Sequence, residues 1–297
     1  MADFAGRNRA GMLRGMAKRP SVAIVGAGRL GSALARELLQ AGYAIAEIVT
    51  RQSQEPLKRA SVLGIQGAHV STYAEAVLNA QLIWFCVPDG EIANVARALA
   101  SRVEWNGKCA FHSSGALPSD ELRALRRRGA SVASVHPLMT FVHGPRPSLQ
   151  GVSFGLEGDR RALSLARKVV KEIGGEAFLI RKQDKTTYHA WGSFASPLLV
   201  ALLATAEEVA HKSGVSPQAA RKRMMPILSQ TLENYGKLGP AAAFSGPIIR
   251  GDVETVRQHL KVLRKIPDAR KVYMALAKAA LKNLPAENKK TLKRVLK

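Results

Sequence analysis

The glycine-rich stretch at residues 22–31, V-A-I-V-G-A-G-R-L-G, constrains the fold of this chain more than any other segment. Four apolar, mostly β-branched residues run directly into Gly26, Gly28 and Gly31, and a helix-forming segment follows at residues 32–40. This order of strand, tight turn and helix is typical of a dinucleotide-binding site. We assign the sharp turn to Gly26, the approach of a pyrophosphate to Gly28, and the close packing of helix on strand to Gly31.

The start of this helix predicts how a pyrophosphate binds without a lysine. A helix N-terminus presents unpaired N–H groups and a partial positive charge, both of which attract anions. The predicted cofactor-binding residues of this turn are Gly26, Ala27, Gly28, Arg29, Leu30 and Gly31. The alternative is a glycine-rich turn of an unrelated α/β protein, but the strand pattern before it and the helix pattern after it both favour a dinucleotide.

The end of the second predicted strand indicates which dinucleotide binds. In NAD enzymes this strand usually ends in an acidic residue that holds the ribose hydroxyls, whereas here Arg51 and Ser53 follow it. An arginine and a hydroxyl suit the 2′-phosphate, so we predict NADP; the alternative for Arg51 is a solvent-facing side chain at a strand end. A later apolar run at residues 82–87 predicts a buried parallel strand that places Val87 and Pro88 at the cofactor crevice.

The rest of the chain predicts an α/β Rossmann domain, with a doubly wound, mostly parallel sheet, followed by an all-α domain. Further strands are predicted at residues 44–50, 68–70, 108–112, 131–135, 151–156 and 177–180, and helices at 55–63, 73–79, 91–100, 119–127 and 160–173. From residue 184 onward only helical patterns occur, at 184–212, 217–238, 252–263 and 268–284. We therefore predict a basic, disordered tail over 1–19, an NADP-binding domain over 20–182 and a helical substrate and dimerisation domain over 183–297. An alternative for the first segment is an overlong start, with Met12 or Met16 as the true beginning.

The formal net charge of +23 raises the question of whether the chain binds nucleic acid. The sequence has no helix-turn-helix, zinc or aromatic-interleaved pattern that would read a nucleic acid, so we interpret the charge as background plus attraction for an anionic cofactor and a small anionic substrate. Two cysteines indicate neither a disulfide framework nor a metal cluster, and they fit a reducing cytoplasm. No apolar run reaches the roughly 18 residues of a membrane helix, so no membrane partner is expected.

The helix predicted at residues 184–212 carries the candidate chemistry. Helical spacing places Lys185, His189 and Ser196 on one polar face, with Tyr188 and Trp191 on the apolar side. Hydride transfer to a carbonyl requires a proton donor for the developing alkoxide, and a lysine or an imidazole can supply it. We therefore predict Lys185 and His189 as catalytic residues. The alternative is a helix start with an exposed lysine and a histidine bonded to a backbone carbonyl.

Several motifs together resemble one bacterial family. They are the glycine turn at residues 26–31, H-S-S-G at 112–115, H-P-L-M-T-F at 136–141, Y-H-A at 188–190 and G-P-I-I-R-G-D at 246–252. The family joins a Rossmann-like N-terminal domain to a helical domain of unknown function (domain of unknown function 2520), and it is related to ketopantoate reductase, pyrroline-5-carboxylate reductase and the β-hydroxyacid dehydrogenases.

The resemblance implies a helical domain of the 6-phosphogluconate-dehydrogenase type, a homodimer and NADP. By analogy with the β-hydroxyacid dehydrogenases, Ser113, Ser114 and Gly115 would hold a substrate carboxylate, and Lys185 would act as acid and base. His136, at the end of the next strand, joins Ser196 as a further substrate-binding candidate. Where the family commonly reads Ser-Asn, this chain has Ser196 followed by Pro197, which removes an amide that could bind substrate.

These features predict an NADP-dependent oxidoreductase that transfers a hydride between NADPH and a small carboxylate-bearing 2-oxo or imino acid, ketopantoate being the favoured example. A non-catalytic NADP-binding or regulatory protein is one alternative, and a basic protein associated with nucleic acid is another.

Overall fold

The computed structural model describes residues 19–51, 68–142, 144 and 147–297. Contacts within the chain divide it into two compact units, Met1–Ser193 and Phe194–Lys297. The division falls beyond the predicted boundary at residue 183, and Lys185 and His189 therefore belong to the first unit. Ser53, the helix predicted at residues 55–63 and the predicted tail lie outside the described residues, apart from Arg19 of the tail, whose Nε donates to Glu172 at 2.9 Å.

Eight strands of the described residues form one sheet in the order β3-β2-β1-β4-β5-β6-β7-β8. Their bounds are β1 Val22–Val25, β2 Ile45–Thr50, β3 His69–Thr72, β4 Leu82–Phe85, β5 Cys109–His112, β6 Ser131–Pro137, β7 Ser153–Gly158 and β8 Glu176–Leu179. Neighbouring strands are parallel except β6 and β7, which are antiparallel. The sheet is therefore mostly parallel, as the sequence predicts.

The helices follow the predicted alternation and then the predicted helical run. They are α1 Arg29–Gln40, α2 Asp89–Ala100, α3 Arg123–Arg126, α4 Arg160–Glu172, α5 Lys185–Ala195, α6 Pro197–Lys212, α7 Pro217–Ala243, α8 Val253–Val262, α9 Pro267–Asn283 and α10 Lys289–Val295. Short 3-10 turns span Ser119–Leu122, Lys182–Asp184 and Leu263–Lys265.

Both faces of the sheet are covered by helices. Ile24 of β1 belongs to one buried apolar cluster together with Leu34 of α1, and its neighbour Val25 belongs to a second cluster together with Ile92 of α2. Successive residues of a strand point to opposite faces, so these two clusters are the two cores of a doubly wound sheet. The predicted fold class is confirmed.

The helix predicted at residues 73–79 is wrong, because a buried carboxylate takes the backbone donors that a helix would need. Glu47 of β2 is buried and accepts hydrogen bonds from the backbone N–H groups of Val77 at 3.1 Å and Leu78 at 2.6 Å. Leu78 has a φ of 48°, outside the helical region. The segment therefore forms turns that satisfy the charge on Glu47.

The single helix predicted at residues 184–212 is also wrong, since it is broken into α5 and α6. The break lies at Ser196, whose φ of −129° and ψ of −80° are not helical. Pro197 has no backbone N–H to donate to the preceding turn. It occupies the first position of α6, where a backbone N–H would have no partner within the helix.

The second unit has a small core and an apolar surface. Val256, Leu260, Ala277 and Leu281 share a buried cluster with α10, whereas α6 has no buried residue. By length and composition alone the helical stretch Lys182–Lys212 would suffice to cross a membrane, contrary to the sequence expectation. Length and composition alone do not place a helix in a membrane, because a core helix of a soluble protein passes the same test.

Candidate active site at the carboxyl edge of the sheet

The predicted crevice lies where the strand order changes direction. β1 and β4 are neighbours, with β2 and β3 extending to one side and β5 and β6 to the other. The helices α1 and α2 follow β1 and β4 directly. Ligands of open α/β sheets bind outside the carboxyl ends of the strands at this switch point.

The three glycines of the turn have the three geometries that a dinucleotide requires. Gly26 has a φ of +101°, and a Cβ on it would lie 2.7 Å from the carbonyl oxygen of Cys86. A Cβ on Gly31 would collide with the carbonyl oxygen of Gly26. A Cβ on Gly28 would meet no atom within 4 Å, so the backbone there is open to a ligand. The residues present therefore fit a pyrophosphate.

The helix α1 starts at this turn without an acidic side chain that would repel phosphate. Gly28 caps α1 without a side-chain hydrogen bond, and the first turn of α1 has no acidic residue. Arg29 is exposed there, and Leu30 is half-buried. Ala27 is buried beneath the turn. The unpaired backbone N–H groups at the start of α1 and the exposed Arg29 guanidinium suit an anionic ligand.

The other predicted cofactor residues lie at the ends of neighbouring strands. A Cβ on Gly26 would lie 3.0 Å from Cγ1 of Val87, so Val87 borders the glycine turn. Pro88 is exposed and caps α2. Arg51 is exposed directly after β2, the strand next to β1. Its position fits a ribose phosphate at this edge.

The turn after β5 carries two serines that are already hydrogen-bonded. Ser113 Oγ accepts from Nε1 of Trp84 at 2.8 Å. Ser114 is buried; its Oγ donates to Asp89 at 2.7 Å and accepts from the Leu117 backbone at 2.9 Å. The Ser114 hydroxyl is thus occupied both as donor and as acceptor.

Lys185 is buried, with 1% of its surface exposed, and it ties α5 to the strand ends. Its Nζ donates to the Ser114 carbonyl at 2.8 Å and also to Ser134 Oγ. Burial lowers the pKa of Lys185 to about 8, although Glu157 and Asp89 act in the opposite direction. A lysine with this pKa can exchange a proton near neutral pH.

The neighbouring His112 has a structural role. Its ring is fully buried; Nδ1 accepts from the Ser114 backbone at 3.1 Å, and Nε2 lies 3.0 Å from the Pro118 carbonyl. Burial lowers the pKa of His112 to about 4, so the ring is neutral and Nε2 carries the proton. Both ring nitrogens are thereby occupied.

Two further histidines meet over Gly115. A Cβ on Gly115 would lie 2.6 Å from Cδ2 of His189 and 2.9 Å from Nε2 of His136. The two rings are perpendicular, with centroids 6.1 Å apart. His189 is exposed, and burial lowers the pKa of the half-buried His136 to about 3. One accessible imidazole and one neutral, partly covered imidazole therefore border the same backbone.

The predicted site residues divide between the two units. Lys185 contacts Ser114, and the rings of His136 and His189 both lie against Gly115. Ser196 belongs to the second unit, at the break between α5 and α6.

Sequence reasoning missed three polar partners of these residues. Asp89 binds Ser114, Ser134 binds Lys185, and Tyr188, assigned above to the apolar side, binds His136 through its hydroxyl. Asp89 could have been found, because it follows Pro88 at the end of a strand that the sequence places at the crevice. Tyr188 could not have been found, because its partner His136 lies 52 residues earlier in the chain.

Two family models match the chain. Residues 7–137 match a Rossmann-like domain, and residues 152–280 match a domain of unknown function (DUF2520). No curated protein matches the chain by sequence.

Solved structures share the fold along nearly the whole chain. A candidate NADP oxidoreductase from Bacteroides fragilis is 19% identical with a TM-score of 0.73, covering 88% of this chain and 97% of its own. A protein from Thermotoga maritima is 25% identical with a TM-score of 0.69, covering 93% and 98%. An imine reductase from Pseudomonas sp. is 22% identical with a TM-score of 0.59, covering 94% and 100%.

The order of the two matched models is the order that the motifs indicated from sequence, and the resemblance is confirmed. The chain therefore matches, in that order along its sequence, a Rossmann-like domain and a domain of unknown function of the DUF2520 type.

Proposed function

We propose that this chain is an NADP-dependent oxidoreductase that transfers a hydride between NADPH and a small carboxylate-bearing 2-oxo or imino acid. The observation that carries the proposal is the open backbone at Gly28, set between a turn at Gly26 and a packed contact at Gly31. The similar structures support it, since their descriptions include an NADP oxidoreductase, imine reductases, a reductive aminase in complex with NADPH and a pyrroline-5-carboxylate reductase.

Within this proposal each group has a defined task. Bound NADPH supplies the hydride. The backbone of residues 26–31 holds the pyrophosphate, and Arg51 pairs with the 2′-phosphate. His189, which is exposed beside Gly115, orients the reacting group, and Lys185 supplies the proton that the product needs. Ser113 and Gly115 bind the substrate carboxylate.

The proposed substrate class follows from the charge and size of these groups. An ammonium with a pKa near 8 and an exposed imidazole favour an anionic substrate that accepts a proton. A keto acid such as ketopantoate and a cyclic imino acid both meet this requirement. Comparing the two as substrates tests the finer assignment.

The glycine turn can be tested with a matched pair of substitutions. Gly28→Val introduces a branched side chain into open space, so the fold should survive while NADPH binding falls below detection. Gly31→Val, by contrast, drives a Cβ into the Gly26 carbonyl and should lower the melting temperature. Isothermal titration with NADPH and thermal melting of both variants give the two readouts. Normal NADPH binding by Gly28→Val would show that the glycine motif is only a turn, and it would contradict the proposed function.

Arg51 should set the choice between NADPH and NADH. A charge-assisted hydrogen bond is worth about 1.5–3 kcal/mol, so Arg51→Ala should weaken NADPH binding about 10- to 100-fold and leave NADH binding nearly unchanged. The control is Arg97→Ala, which removes an exposed arginine of α2. Equal affinities of the native chain for the two dinucleotides would contradict the assignment.

Lys185 and His189 should control turnover rather than cofactor binding. Lys185→Met preserves an apolar chain in a buried place, and His189→Ala changes an exposed residue, so neither should unfold the chain. Each should lower kcat about 100-fold, the usual scale for acid–base groups, with NADPH affinity unchanged. The control is Lys182→Met, an exposed lysine three residues before Lys185.

The pH profile separates the two residues. Lys185 is protonated below a pKa of about 8, so reduction by the native enzyme should slow as the pH rises through 8, and the residual activity of Lys185→Met should lose this decline. Full activity in both Lys185→Met and His189→Ala would show that other residues act as the acid–base groups. Binding of NADPH without turnover of any keto or imino acid would indicate a non-catalytic NADP-binding protein.

We also propose that a second copy of this chain covers the apolar surfaces of α6 and α7. The exposed apolar side chains there are Leu198, Val200 and Leu202 on α6, and Met225, Ile227, Leu232, Tyr235 and Leu238 on α7. A large exposed apolar surface marks an interface. Charged and amide residues such as Glu233 and Asn234 alternate with the apolar ones on α7, which suits a protein partner better than a lipid.

Sedimentation equilibrium tests the dimer. The native chain should sediment as a dimer, and Leu232→Lys, which places a charge on the apolar surface, should shift it toward the monomer. Gln230→Lys adds the same charge at an exposed polar position of α7 and serves as the control. A native chain that sediments as a monomer would overturn the proposal.

A further inference from the structure

We propose that Tyr188 is a positioning residue that holds His136 in the tautomer with its proton on Nε2, so that a neutral imidazole donates a hydrogen bond to the reacting oxygen or nitrogen of the substrate. This inference rests on the proposed function, and it concerns two residues that the assignment of Lys185 and His189 leaves without a chemical task.

The hydroxyl of Tyr188 has three polar neighbours. Its oxygen lies 2.7 Å from Nδ1 of His136 and 3.4 Å from the His136 carbonyl oxygen. Burial raises the pKa of Tyr188 to about 12, and the nearby Gly155 backbone partly opposes this rise. Within the described part of the chain, the hydrogen bonds of the hydroxyl are those with His136.

The single hydroxyl proton must therefore go to one of the two acceptors on His136. Hydrogen bonds between two oxygens are normally 2.5–3.0 Å long, so the carbonyl at 3.4 Å is a poor acceptor. Nδ1 at 2.7 Å is a good one. A nitrogen that accepts cannot carry a proton, and the neutral imidazole places its one proton on Nε2.

His136 is neutral because its surroundings disfavour a second proton. Burial lowers its pKa to about 3, and the electrostatic influence of the neighbouring Lys185 acts in the same direction. A neutral imidazole N–H can polarise a carbonyl in an active site, as known enzymes show. The charge state therefore suits hydrogen-bond donation rather than proton transfer.

Two glycines fix the geometry on either side of this pair. A Cβ on Gly155 would lie 2.9 Å from Cζ of Tyr188, so only glycine lets the phenol ring rest on β7. A Cβ on Gly115 would lie 2.9 Å from Nε2 of His136, so Nε2 faces the turn that we assign to the substrate carboxylate. Within the described part of the chain, the hydrogen bonds of the His136 ring are confined to Nδ1, which leaves the Nε2 proton for a ligand.

The tautomer can be measured directly on the full chain. Nitrogen NMR of a sample labelled with ¹⁵N-histidine distinguishes protonated from bare ring nitrogens, and His136→Gln identifies the His136 signals by their loss. In the native chain Nε2 should be protonated and Nδ1 bare, and Tyr188→Phe should convert this to a mixture of tautomers. Tyr273→Phe, which removes a hydroxyl that contacts a different histidine, His259, should leave the His136 signals unchanged. A native Nδ1 proton, or an unchanged tautomer in Tyr188→Phe, would overturn the proposal.

A double-mutant cycle tests the catalytic consequence. Tyr188→Phe should lower kcat about tenfold, the scale of one lost hydrogen bond, with NADPH affinity unchanged. The amide of His136→Gln donates without help from Tyr188, so Tyr188→Phe should cause no further loss in that background. Equal losses in both backgrounds would show a merely structural tyrosine and overturn the proposal. Failure of the native chain to bind NADPH would instead overturn the proposed function, while the NMR measurement still decides the tautomer.

Discussion

The buried ammonium of Lys185 is the interaction on which the candidate site depends. Its Nζ bonds Ser114 after β5 and Ser134 in β6, and it thereby fixes α5 against two adjacent strands. A buried lysine is costly unless it is paired and hydrogen-bonded. A second polar contact of α5 with β6, from the Tyr188 hydroxyl to His136, lies one turn further along and places His189 beside Gly115.

The three histidines of this edge differ because of what covers them. His112 has both ring nitrogens bonded to backbone, His136 has one bonded to Tyr188, and His189 is exposed. The same side chain thus serves as a structural element, a directed donor and an accessible group. Burial and partners, rather than residue type, decide which role an imidazole takes.

The sequence could predict the dinucleotide turn because its strand, glycine and helix patterns are continuous within residues 22–40. The demand on Gly31 is local as well, since a Cβ there would collide with the carbonyl oxygen of Gly26, five residues earlier. The absence of a helix at residues 73–79 could not be predicted from local sequence. The carboxylate that accepts its backbone hydrogen bonds belongs to Glu47, 31 residues before Leu78. The pairing of Tyr188 with His136 spans 52 residues and was likewise hidden.

The neutral state of His136 and the charged state of Lys185 suit two different roles in the proposed reaction. The positive charge of Lys185 is one of the causes that lower the pKa of His136, so a proton on one group opposes a proton on the other. Between pH values of about 3 and 8 the stable arrangement is therefore an ammonium at Lys185 beside a neutral His136. Under the proposed function, the lysine would release a proton to the reduced substrate in that window while the imidazole N–H would polarise the bond being reduced. Above the pKa of Lys185 the N–H of His136 persists but the proton source is lost, so polarisation alone would remain.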